Sequence, residues 1–194
     1  MISSLTPNSM NVISVNPTKV TSSMNGIEQR IASTGQYFRF VGVYSNLEQA
    51  NQRAVFAHIQ SQAGPLNAFT ISLPAYMGNS TAGFSGTLSS VSAAVNSTSV
   101  TATASSNNTA VLKAGDLIKF SSHNKIYTVT NNVTSGAGGS CTIGIFPALK
   151  QAVTSNTIVH RSVQPTVRYA TDNAEFSLGA DQFTTFNLEF IEVL

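Results

Sequence analysis

The chain has 194 residues and 20.4 kDa, enough for one ample domain or two small ones, and only 9% of its residues are charged against about 25% in ordinary soluble domains. A hydrophobic content of 42% is ample for a core and excludes disorder. Ten basic against eight acidic residues leave a net charge of +2, too small and scattered for a sequence-specific nucleic-acid binder. Cys141 stands alone, which excludes an internal disulfide and a thiolate metal cluster.

Residues 1–16 lack the basic start and apolar centre of a signal peptide, and no run approaches the roughly 18 apolar residues of a membrane span. The expectation is synthesis in a cytoplasm without stable membrane insertion. Ser, Thr and Asn together supply 64 residues. So many neutral polar side chains, with so few charges to desolvate, suit surfaces that other subunits cover.

Residues 17–44 predict three strands. The first, 17–23, carries Val20; Asn25-Gly26 is a strong hairpin signal because both turn positions tolerate positive φ; and 27–32 returns. After a break at Gly35, the dense aromatic and β-branched run Tyr37, Phe38, Phe40, Val41, Val43 and Tyr44 predicts the best strand of the first half. The apolar period then changes. Leu47, Ala50, Ala54, Val55, His58 and Ile59 recur near helical spacing, with Ser45 or Asn46 as cap and Glu48 in the first turn, which predicts a helix over 46–62 stopped by Gly64-Pro65.

Residues 68–73 predict a strand ending at Pro74. The tract 79–109 is almost entirely Ser, Thr, Ala, Asn, Gly and Val, with Val91, Val95 and Val100 its regular apolar points, and reads equally as thin strands or loop. Three antiparallel strands follow at 117–120, 126–129 and 141–146, turned at His123-Asn124 and at 136–139. The ending adds strands at 166–169, 174–178 and 183–193. The fold class is mainly β with one helix. Most phenylalanines fall outside 83–162, so residues 1–82 with 163–194 read as an aromatic-rich host domain, and 83–162 as a small all-β domain inserted into it.

No chemistry passes its spacing test. Gly83-Phe84-Ser85-Gly86 misses the Gly-x-Ser-x-Gly elbow that exposes a nucleophile. His58, His123 and His160 lie far apart with no ligand-spaced partner. Glu189 and Glu192 fall on opposite faces of the last strand, Asp116 and Asp172 sit in turns, and Cys141 reads as a small buried hydrophobe. The glycine-rich stretch 136–144 lacks the Lys-Ser/Thr ending of a phosphate loop and reads as a hairpin turn. Asn-x-Ser/Thr triplets arise by composition. No catalytic, metal or cofactor-binding residue is expected, and no enzyme activity.

Two groups of residues carry a resemblance. The strand Tyr37–Tyr44, the helix start Asn46-Leu47-Glu48-Gln49-Ala50, then Gly64-Pro65-Leu66-Asn67-Ala68-Phe69-Thr70-Ile71, Pro74-Ala75-Tyr76 and the closing 183–194 resemble the phage minor tail protein M and distal tail protein group. The 112–118, 125–129 and 139–149 segments are similar to a small β module, OB-like or a related barrel, found in several phage structural proteins. The resemblance implies a tail-tube-like β-barrel that forms a ring, hexameric in that family, joining the tail tube protein to the baseplate hub and other tail-tip proteins in the virion. The strands 19–44 would join a continuous inter-subunit barrel, with Met24, Asn25, Gly26, Tyr37 and Arg39 as candidate subunit-interface residues. The competing readings are a carbohydrate-binding module, disfavoured by the absence of Trp and by Tyr127 as the lone tyrosine of the insert, and a capsid cement or neck protein.

Overall fold

A computed structural model describes residues 7–32, 35–47, 49–172 and 184–194. In chain order the strands are β1 (Ser9–Val15), β2 (Thr18–Ser22), β3 (Glu28–Ala32), β4 (Tyr37–Leu47), β5 (Phe69–Thr70), β6 (Leu88–Ser90), β7 (Ser92–Ala93), β8 (Ser99–Ala104), β9 (Ala110–Leu112), β10 (Leu117–Phe120), β11 (Ile126–Val129), β12 (Val133–Thr134), β13 (Ser140–Phe146), β14 (Val153–Thr154), β15 (Ile158–Val159), β16 (Thr166–Tyr169) and β17 (Thr184–Glu192). Helix α1 (Gln49–Ser61) follows β4, and a single turn, α2 (Ala75–Gly78), follows Pro74. The chain is mainly β, as the residue pattern predicts.

An antiparallel sheet of order β1-β4-β17-β16-β5 forms one half. Along its three long-paired strands Phe38, Phe40 and Tyr44 of β4, Phe186 and Phe190 of β17, and Val167 and Tyr169 of β16 point to one face, where Val55 and Ile59 of α1 join them in one core. The second half is a six-stranded sheet of order β15-β10-β11-β13-β8-β6. The Ser89–Thr157 bridge brings β6 back beside the β15 end, so the sheet nearly closes into a barrel. Leu88, Val111, Leu112, Ile118, Phe120 and Ile143, all fully buried, fill it.

Several boundaries depart from expectation. β1 was not anticipated; it pairs with β4 along its whole length, Ser9 against Val43 through Val15 against Tyr37. β4 runs to Leu47 because β17 pairs with it that far, so Ser45 and Asn46 are strand residues and not helix caps, and α1 begins at Gln49. Glu48 and the strand expected at 174–178 lie outside the described residues. At the far end of α1 the left-handed Ala63 and Gly64 turn the chain, consistent with the Gly-Pro stop. The glycine-rich turn reverses the chain but makes no hairpin of its flanks: β12 pairs with β9, and β13 with β8.

The chain passes between the two halves at two adjacent places. Val163 N donates to Gly78 O (2.9 Å), Ser162 N to Asn79 Oδ1 (2.8 Å) and Ser80 N to His160 O (2.8 Å), so the inbound and outbound segments are bonded to each other. Just beyond, the Asp116 carboxylate takes Ser80 Oγ (2.7 Å), Thr81 Oγ1 (2.7 Å), Thr81 N (3.0 Å) and Lys113 N (2.9 Å), fixing the inbound segment to the turn before β10.

Candidate assembly surface

β2 and β3 form a ribbon apart from both sheets, pairing Thr18 with Ala32 through Ser22 with Glu28. Every residue of β2 is exposed. So are Met24 at the tip and Ile27 and Ile31 on the return, the two isoleucines at 65% and 64%, with Val20 at 56%. An isolated two-stranded hairpin is at best marginally stable in water, so a ribbon carrying four exposed large apolar side chains is a surface awaiting cover.

The turn differs in detail from its sequence signal. Ser23 N bonds Ile27 O (2.9 Å) and Gly26 N bonds Ser23 O (3.0 Å), which makes a three-residue loop, Met24-Asn25-Gly26, closed by a single positive-φ residue, Gly26 at φ 74°. Asn25 is not left-handed. A three-residue connection closed by a left-handed glycine stands here in place of a two-residue turn needing two positive φ values.

Tyr37 and Arg39 lie elsewhere, on the open face of the five-stranded sheet, opposite the face that α1 covers. The register sets the rows of that face: Ile13 beside Arg39 beside Ile191 beside Arg168, and Val15 beside Tyr37. Val41 and Val43 continue it, and all of these side chains are half-buried, none fully covered. Arg39 is already engaged within the chain: its guanidinium pairs with Glu189, Nη2 donating to Oε2 at 2.6 Å, and that bond raises its pKa further. The five candidate residues therefore form two groups, a ribbon tip and a sheet face, and are not brought together at one point.

β1 is the outer strand on one side of this sheet. Its sequence, SMNVISV, has no charge and no proline, the devices that normally keep an edge from pairing with another chain. The signal for it was present in Val12, Ile13 and Val15 ahead of Asn16-Pro17.

The residues weighed for chemistry have structural surroundings. His58 meets the edge of the Phe69 ring at 5.1 Å; buried His123 places Nδ1 3.1 Å from Tyr127 Oη; buried His160 stacks on Phe84 at 5.5 Å. Burial raises the Cys141 thiol. Among the described residues no three His, Cys, Asp or Glu side chains gather as a metal site, and no helix is long and apolar enough to cross a membrane.

No curated protein matches the chain. Residues 81–175, which hold the near-closed barrel and β16, match the family model described as distal tail protein pb9, B domain. That match likens this segment, just under half of the chain, to a phage distal tail protein domain and supports a structural role in a phage tail.

Proposed function

We propose that the chain is a non-catalytic ring subunit of a phage tail tip or baseplate, joining the tail tube protein to the hub and other tail-tip proteins. In this reading 83–162 is a barrel inserted into a host domain akin to minor tail protein M, and copies tile into a hexamer. The observation that carries it is the β2–β3 ribbon, which is separate from both cores and exposes Val20, Met24, Ile27 and Ile31. The uncharged edge of β1 and the half-covered face bearing Val15, Tyr37 and Val41 support it, since strands that pair between subunits need unguarded edges and few charges to desolvate.

The test is the solution mass of the purified chain with two turn variants. Gly26→Val puts a β-branched residue at φ 74°, where L side chains are strained, though a Cβ there meets nothing within 4 Å. It is expected to leave both cores folded, with an unchanged melting temperature, and to abolish the ring. Asn25→Val, at a position without positive φ, is expected to assemble. A Gly26→Val chain that forms rings as well as the parent removes the ribbon from this role, and a parent that stays monomeric at every concentration sinks the ring itself.

A further inference from the structure

Glu192 is the one buried carboxylate of the last strand, and its side chain is 0% exposed. It stands where the two halves meet. Oε1 accepts Ile126 N of β11 at 2.7 Å; Oε2 accepts Phe38 N of β4 at 3.0 Å and pairs with Lys125 Nζ. Lys125, 3% exposed, also sits 4.9 Å above the Phe38 ring. One carboxylate thus collects donors from the five-stranded sheet and from the barrel together.

We infer that the Lys125–Glu192 pair is an orientation latch, which fixes the angle of the barrel on the five-stranded sheet and contributes uniqueness of arrangement more than net stability. The remaining junction explains why a latch is needed. Ile126 and Leu117 of the barrel join the apolar cluster that holds Val163 and Val167, and apolar burial is non-directional and tolerates sliding. The paired crossing segments at 78–80 and 160–163, helped by Lys119 Nζ bonding Gln164 O (3.2 Å) and Thr166 Oγ1 (3.1 Å), hold the barrel on one side. The latch supplies a second, directional attachment on β17. A buried ion pair gains little over an apolar pair of similar volume because desolvation offsets attraction, but it admits few geometries.

The experiment measures one inter-label distance by double electron–electron resonance, in a Cys141→Ala background with spin labels at exposed Gln60 on α1 and exposed Thr101 on β8, the labelled chain being diluted with excess unlabelled chain so that only the distance within one chain is read. The parent is expected to give a single narrow distance. Lys125→Met with Glu192→Leu is expected to retain cooperative unfolding, at a midpoint lowered by the stranded Phe38 and Ile126 amides, while that narrow distance is lost to a broad distribution. Lys125→Met with Glu192→Gln, which keeps an acceptor for one of the Phe38 and Ile126 amides, serves if the first pair does not fold. A narrow, unshifted distance in whichever variant folds overturns the latch. Failure of both to fold also overturns it, because the pair would then be required for stability and not for orientation.

Discussion

Replacing Gly139 with alanine is expected to cost about 2–5 kcal/mol, a large part of the 5–15 kcal/mol typical of a domain. Gly139 ends the turn that leads into β13 at φ 77°, where an L residue loses about 1–2 kcal/mol. The larger part is steric. A Cβ would stand 2.1 Å from the carbonyl oxygen of Ala104 and 3.2 Å from its carbonyl carbon, and backbone in a paired strand cannot rotate away. Ala104 closes β8, which pairs with β13 from Ser140 against Thr103 to Gly144 against Ser99, so relief requires shifting the central ladder of the barrel. Overpacking of this kind adds about 1–3 kcal/mol. The control is the neighbour: Gly138, at φ 71°, would place its Cβ in open space, and Gly138→Ala should lose only the conformational share. Urea unfolding of the two variants beside the parent checks both. Equal midpoints for the two would show that the Ala104 approach is relaxed at no cost.

What was legible in the sequence is what local chemistry decides. The run Phe38, Phe40 and Tyr44 alternates with half-exposed neighbours because a one-sided sheet demands it, and the period change after Leu47 marks α1. The start of α1 was not legible, because β4 continues as far as a strand from the other end of the chain pairs with it. The 79–109 tract was ambiguous for a related reason. The inward positions of β8 are Val100, Ala102 and Ala104, and small side chains give a weak alternation, while Val91 and Val95 turn out exposed. At the ribbon, the hairpin was legible from Asn25-Gly26, but its loop length depends on the strand register, which the dipeptide does not fix. The candidate interface divides in the same way: the tip followed from turn chemistry, whereas the placing of Tyr37 and Arg39 on an open face needed the pairing of β1, β4 and β17.

Among the described residues, the two carboxylates with the most bonds were also the least legible. Glu192 finds Lys125 across 67 positions, and Asp116 finds Thr81 across 35. Neither spacing is a motif, and each residue taken alone reads as a strand or turn carboxylate. Their surroundings are set by where the chain crosses between its halves. Polar anchors at such a junction follow from topology, and they mark the places where apolar packing alone leaves the arrangement under-determined.

Truncation of Asp116 to alanine is expected to lower stability by about 1–3 kcal/mol at neutral pH, because it removes the acceptor of the part-buried amides of Thr81 and Lys113, and water recovers only part of bonds worth about 1.5–3 kcal/mol each to a charged group. The hydroxyl donors suffer less, since Ser80 Oγ already has Val111 O within 3.3 Å. Asp116→Asn should fall between parent and alanine: one oxygen still accepts two donors, while the new amide faces the other two. The pH dependence distinguishes lost charge from lost packing. Burial by itself would push the Asp116 carboxyl up, but the Lys113, Ser80 and Thr81 donors hold it below the ordinary value of 3.8. The unfolded chain therefore takes up the proton first on acidification. The carboxylate's contribution is complete above the ordinary value and is lost as pH falls through the lower folded one. The gap between parent and Asp116→Ala, measured by urea unfolding from pH 7 down to about pH 3, should stay constant until below pH 4 and then shrink. A gap that is the same at both ends would assign the loss to a cavity and not to the ionised carboxylate.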